Sequence, residues 1–132
     1  MTFKFINPET LGTPSGFSNG VLTEPAAKFL FIAGQIAWDA DQKIISDDFV
    51  EQFDRALANV IAVVREAGGM PEQIARLVIY VTDKQEYRRR TREIGERYRA
   101  RMGKHFPAMV LVEVKSLLDD RAQVEIEGIA AL

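Results

Sequence analysis

At 132 residues, 47% hydrophobic and 27% charged, the chain has the length and balance of one globular domain, which buries roughly two thirds of the surface its unfolded chain exposes. The absence of cysteine excludes disulfides, thiolate nucleophiles and cysteine metal sites, and a lone histidine, His105, excludes a multi-histidine metal centre. No apolar run approaches the ~20 residues needed to cross a bilayer, and the opening Met-Thr-Phe-Lys-Phe-Ile-Asn-Pro carries no export-signal pattern, so a cytoplasmic protein without a membrane partner is expected.

In chain order, Phe3–Ile6 reads as a short strand and Pro8–Gly16 as an irregular loop. Phe17–Leu22 and Lys28–Ile36 read as strands joined by a turn at Glu24-Pro25, and Trp38–Gln42 as a turn into a brief strand at Lys43–Ile45. Ser46 followed by Asp47 and Asp48 makes a helix start, a capping hydroxyl with acids near the positive end of the helix dipole. Phe49, Phe53, Leu57, Val60, Ile61 and Val64 then recur at helical spacing, and Gly68-Gly69 stops the run. Pro71–Gln73 gives a turn of helix before a strand at Ala75–Thr82. A second helix is expected from Asp83, with Tyr87, Thr91, Ile94, Tyr98 and Met102 on one face and Gly103 at its end. Met109–Val114 and Gln123–Ala130 are alternating strands, with Glu113, Glu125 and Glu127 at the period of two that half-buried strands show.

The order βββ(β)αβαββ predicts an α+β domain: one mixed β-sheet with two helices on one face, since each helix follows one strand and precedes another. Net charge is −2, yet residues 83–104 hold nine Lys/Arg against four acids. Such a cluster attracts phosphate or carboxylate, and reads equally as a solvated helix face laced with pairs such as Arg89–Glu93 and Glu93–Arg97. Val124, Ile126 and Gly128 must take the helix-covered side of the last strand, which turns Glu125 and Glu127 to the other side. There they are either two solvated carboxylates or, if copies associate, groups in an interior able to move a proton. His105, in a connection, reads as structural or exposed.

Five segments occur in a telling order: Pro14-Ser15-Gly16-Phe17-Ser18-Asn19-Gly20-Val21; Phe29 to Ala33-Gly34-Gln35; Gln52 through Asn59 to Ala67-Gly68; Val78 to Thr82-Asp83; and Pro107-Ala108-Met109 with Val112-Glu113-Val114 and Glu125-Ile126-Glu127. Together they resemble the YjgF/Rid family of reactive intermediate deaminases across nearly the whole chain. The resemblance implies a single chorismate-mutase-like (YjgF-type) domain over residues 1–132. It further implies assembly as a homotrimer with clefts between subunits, a small-molecule ligand, and no metal or organic cofactor. In members that hydrolyse imines, an arginine grips the substrate carboxylate and a tyrosine of the N-terminal segment contacts the substrate. Backbone near a Ser-Gly-Gln corner lines the pocket, and a glutamate of the last strand places the attacking water. By position these fall on Met109, Phe17, the Ala33-Gly34-Gln35 corner and Glu125.

The arginine and the phenolic hydroxyl are therefore both missing. A charge-assisted hydrogen bond contributes about 1.5–3 kcal/mol, so hydrolysis of ordinary 2-imino acids is expected to be weak or absent. Arg92 lies where the family often carries an asparagine near the pocket, and is either a replacement cation or a solvent-facing side chain. Three functions stand against one another. The first is a divergent Rid-type hydrolase of an enamine, imine or related reactive intermediate. The second is a non-enzymatic ligand-binding or regulatory trimer. The third is RNA binding or cleavage of the endoribonuclease L-PSP type. Only the arginine-rich helix supports the third, and an acidic chain with pI near 5.5 and no histidine pair argues against nucleic acid.

Overall fold

Val124, Ile126, Gly128 and Ala130 are buried while Glu125, Glu127 and Ile129 between them are only half-buried, so the alternation seen in the sequence gives the sheet one covered and one open face. The computed structural model describes residues 2–24 and 28–132; the turn expected at Glu24-Pro25 lies outside the described residues. The elements, in order, are β1 (Thr2–Ile6), β2 (Gly20–Glu24), β3 (Phe29–Gln35), α1 (Phe49–Glu66), β4 (Ile74–Val81), α2 (Lys84–Arg89), α3 (Thr91–Met102), β5 (Ala108–Glu113) and β6 (Val124–Ala131). Short 3-10 turns occupy Glu9–Leu11 and Pro71–Gln73.

Four strands form a mixed sheet in the order β3-β6-β4-β5, in which only β4 and β5 run parallel. Leu77, Ile79 and Val81 of β4 join Val124 and Ile126 of β6 on the covered face. There they pack against Phe49, Phe53, Leu57 and Val60 of α1 and against Ile94, Tyr98 and Met102 of α3. This is the expected α+β architecture with its helices on one face. The six apolar residues read as the stripe of the first helix are all buried. Gly68 (φ +87°) and Gly103 (φ +62°) follow the two helical runs in a left-handed conformation that glycine adopts without Cβ strain.

Four local expectations are corrected. The N-terminal strands do not extend the sheet; β1 and β2 pair as a separate antiparallel ribbon. It is anchored instead at the start of β5, where the Ser18 hydroxyl donates to the Phe106 carbonyl at 2.6 Å, Ser18 N–H donates to Pro107 at 3.1 Å, and Phe3 stacks on the His105 ring at 5.9 Å. His105 is structural, its Nε2 sitting 2.7 Å from the Ile74 carbonyl. The second helix breaks at Arg90 (φ −117°, ψ 24°). There the guanidinium reaches Asp48 at 2.5 Å and Glu93 at 2.9 Å, and the Thr91 hydroxyl donates to the Tyr87 and Arg88 carbonyls. Asp48, not Ser46, caps α1 by accepting from Glu51 N–H at 3.1 Å. Lys43–Ile45 contributes only an isolated bridge between Trp38 and Ile44.

The basic run on α2 and α3 is largely neutralised. Five of its seven arginines are ion-paired: Arg89 with Glu86, Arg90 with Asp48 and Glu93, Arg92 with Glu96, and Arg97 and Arg101 with Asp54. Glu93 thus pairs with Arg90 rather than with Arg89 or Arg97. Asp54 clamps α3 to α1, accepting from Arg101 at 2.6 Å and from Arg97 at 3.0 Å.

Burial alone would raise the Asp54 carboxyl, but the hydrogen bonds and charges of Arg101 and Arg97 together outweigh it and hold the group below its ordinary value of 3.8. A depressed carboxylate stabilises the fold above its unfolded pKa and loses that contribution as pH falls through the folded one. Asp54→Asn is therefore expected to cost about 1 kcal/mol at pH 7. In urea unfolding, the gap from wild type should close as pH falls below 3.8. A gap that persists unchanged in acid would show that packing, not charge, holds the clamp.

Candidate functional site

Two of the cavities among the described residues hold residues singled out in the sequence, one on each side of the sheet. The first, about 330 Å³, lies between α2, α3 and the β5 edge. Its floor is Phe53, Ile79 and Met109, its walls are Tyr87, Ile94, Tyr98 and Phe106, and Ser15, Gly16, Thr91, Gly95 and Arg99 complete its lining. Met109 points there because it pairs with Leu77 across β4–β5, and Leu77 belongs to the covered face. Tyr98 and Phe106 stack with centroids 5.5 Å apart, and the Tyr98 hydroxyl donates to the His105 carbonyl at 2.6 Å. Burial pushes the phenols of both Tyr87 and Tyr98 above their ordinary range, so both stay protonated.

The second cavity, about 360 Å³, opens on the other side of the sheet between Gly34, Ile36, Trp38, Leu118, Asp119 and Glu125. Glu125 pairs with Tyr80 across β4–β6, which fixes it to the open face. Beside it the β3–β6 register slips between Ile32 and Gln35, so that β3 carries one residue more than its partner. The bulge falls on Ala33-Gly34 and takes backbone groups out of the ladder next to the carboxylate. A Cβ at Gly34 would stand only 2.9 Å from Glu125 Cδ, so the glycine is what lets the carboxylate lie against the bulge. On the same face Tyr80 donates its hydroxyl to Glu127.

Two polar side chains of α1 hold the walls of this second cavity. Gln52, fully buried, donates to the carbonyls of Ser46 and Arg121 and accepts from Gln123 N–H at 2.8 Å, which fixes the loop carrying Leu118 and Asp119. Asn59 donates to the carbonyls of Ile36 and Trp38 at 2.9 and 3.1 Å, pinning the end of β3. Glu113, third of the acidic period, stands apart from Glu125 and accepts from Lys84 N–H at the start of α2.

The residues singled out in the sequence thus fall into two sets. Ala33, Gly34, Gln35 and Glu125 come together on the open side, with Gln35 donating to the Ala33 carbonyl at 3.1 Å. Met109 lies on the helix side, and Phe17 is exposed just beyond the Ser15-Gly16 rim. Arg92 joins neither set: its side chain is 92% exposed and its guanidinium faces Glu96. Sequence reasoning missed Tyr87 and Arg99 as cavity residues. A signal for Arg99 was present, since a mid-helix glycine such as Gly95 costs stability and asks for a reason. Among the described residues no group of three or more His, Cys, Asp or Glu side chains is arranged to hold a metal ion. Nor is any helix long and apolar enough to cross a membrane.

The family model described as Endoribonuclease L-PSP matches residues 9–132. A RutC family protein of Pyrococcus abyssi is 33% identical over 103 residues, 77% of each chain. Among solved structures, YyfB of Yersinia pestis, described as a protein of unknown function of the conserved Rid family, superposes with a TM-score of 0.87 at 32% identity over 100% of both chains. The YjgF gene product of E. coli superposes at 0.68 with 26% identity, over 95% of this chain and 92% of its own. The fold is of the YjgF type, and the chain belongs to the YjgF/Rid family.

Because Arg92 is a solvated surface cation, Arg92→Ala is expected to shift stability by less than about 0.5 kcal/mol and to leave ligand affinity unchanged. Titrating one cavity ligand into both proteins checks this. A tenfold loss of affinity would place Arg92 in the site after all.

Proposed function

We propose that the chain is a divergent Rid-type hydrolase that deaminates an enamine, imine or related reactive intermediate, with Glu125 as its acid–base residue. The observation that carries the reading is the seat of Glu125 against the Ala33-Gly34 bulge, where a carboxylate and unladdered backbone groups share one small cavity. The chemistry asks little more. Water adds to the C=N carbon as the Glu125 carboxylate takes its proton. Glu125 returns that proton to the nitrogen to give the neutral carbinolamine, whose nitrogen then takes a second proton from solvent; the C–N bond breaks with loss of ammonia, and the remaining hydroxyl proton passes back to solvent to leave the carbonyl. General acid–base help of this kind contributes roughly 10²–10⁴-fold.

In this reading the two cavities are halves of one site, and a homotrimer brings them together. Met109 and Glu125 of one chain face opposite sides of its sheet, so the joining needs a second copy. Support comes from the open face, which presents Phe29, Phe31, Val110 and Val112 to solvent, Phe31 at 75% exposure. Leu118, on the rim of the Glu125 cavity, is also fully exposed. Apolar surface of this extent favours association with a second copy. The arginines that would support RNA cleavage are mostly spent on internal ion pairs.

The test follows hydrolysis of enamines and of imines without a 2-carboxylate, formed in situ by a flavin amine oxidase, in competition with semicarbazide trapping, beside 2-imino acids from an amino-acid oxidase, which are expected to react weakly or not at all. Wild type is expected to accelerate hydrolysis of at least one imine, and Glu125→Ala to lower that rate about 100-fold or more. Light scattering should give three copies per particle. Hydrolysis indifferent to Glu125 contradicts the assigned residue, a monomer at micromolar concentration contradicts the shared site, and no acceleration of any imine favours a binding protein without catalysis.

A further inference from the structure

We infer that the Glu125 cavity selects a cation, and that its substrate is a protonated imine bearing an apolar or aromatic body and no carboxylate. Trp38 and Asp119 are the residues that choose it. The inference rests on the hydrolase reading above and names the substrate class of that same site.

Of the three strand glutamates, Glu127 accepts from Tyr80 and Glu113 from Lys84 N–H, whereas Glu125 has no hydrogen-bond or ion-pair partner among the described residues. Gly34 seats it against the bulge, and the cavity of about 360 Å³ opens beside it. The wall is Trp38. Its side chain packs against Ile36, Ile44 and Ala122, and Asn59 holds its carbonyl at 3.1 Å, so the indole stands on a fixed support. Trp is the strongest aromatic partner for a cation, and the attraction grows where water is excluded. Ile36 and Leu118 add apolar lining for the rest of a ligand. Asp119 is the second charged residue of the lining, and its Oδ1 accepts from Arg121 N–H at 2.8 Å. No Lys, Arg or His lines this cavity, and the base closest to Asp119 along the chain, Arg121, is paired with Asp47 at 2.9 Å.

Charge then separates one imine from another. A 2-imino acid would bring its own carboxylate beside Asp119 and Glu125, a like-charge contact that opposes binding. The helix-side half offers little compensation, since its floor is Met109 and the one base in its lining, Arg99, is exposed. An iminium meets the opposite condition. Nearby carboxylates favour its charged form, and that form is the better electrophile because the positive nitrogen draws the C=N electron pair toward itself. Water adds to the iminium carbon as Glu125 takes a proton, which leaves the neutral carbinolamine. Glu125 passes that proton to the nitrogen, the C–N bond breaks with its electron pair on the departing ammonia, and the hydroxyl proton goes to solvent. The proton that a neutral imine draws from solvent thus arrives with the substrate.

The experiment is calorimetric titration of the intact protein with benzamidine, benzamide and benzoate, which share one ring and differ in charge. Benzamidine carries an amino group on a planar cationic carbon, and so stands in for an iminium. It is expected to bind wild type at least tenfold more tightly than benzamide, with no saturable binding of benzoate. Asp119→Asn keeps an oxygen acceptor for Arg121 N–H, so the melting temperature should hold while benzamidine affinity falls at least fivefold and benzamide affinity stays within twofold. Trp38→Leu should weaken both probes, benzamidine by at least threefold more. No saturable binding of benzamidine, benzamide or benzoate binding as tightly, or benzamidine affinity indifferent to either substitution overturns the inference. Asp119-dependent binding of benzamidine without hydrolysis of any imine would sink the hydrolase alone. Glu125-dependent hydrolysis in a protein that binds benzamidine no better than benzamide would sink the cation alone.

Discussion

The two-residue period of the strands constrains everything else in this molecule. Leu77 faces the helices, so its partner Met109 does too; Tyr80 faces away, so its partner Glu125 does too. No side-chain rotation undoes that assignment, because shifting either strand by one residue would turn its whole apolar set out of the core. The Met109 cavity and the Glu125 carboxylate therefore stand on opposite sides of one sheet. The open face, with Phe29, Phe31, Val110 and Val112 uncovered, is the physical reason to expect a second copy against it.

The helices do more than cover the sheet. Gln52 and Asn59 lie seven residues apart on α1, hence on one side of the helix, and each spends its amide on main-chain groups of a connecting segment. Loops tied down this way can carry a site whose geometry does not drift. Arg90 plays a similar part at longer range by linking the break between α2 and α3 to the cap of α1, three residues from the Tyr87 that lines the cavity. Stability and site construction thus share the same hydrogen bonds.

Much of this was written plainly in the sequence. The apolar stripe from Phe49 to Val64, the glycine stops and the alternation of the last strand are local patterns, and local patterns survive folding when the core accepts them. The break at Arg90 was not legible: no glycine or proline stands between Tyr87 and Ile94, and the Asp48 that pairs with Arg90 at the break lies 42 residues away. The separate N-terminal ribbon was hidden for the same reason, since Ser18 finds its partner 88 residues along the chain at Phe106. Of the candidate site, Glu125 and its Gly34 corner were readable from a motif, while Trp38 looked like any other turn residue until it was seen to share a cavity with them.

The central claim is that the site is completed between copies, and subunit complementation tests it most directly. Two proteins, each predicted to be inactive, are unfolded together and refolded: Glu125→Ala, which loses the carboxylate half, and Met109→Trp, which fills the cavity half. In a mixed trimer, the intact cavity of one subunit meets the intact Glu125 of another, and imine hydrolysis should return where neither parent shows any. If mass spectrometry under native conditions finds mixed trimers and hydrolysis stays absent, the two halves do not meet between copies, and the account of this site is wrong.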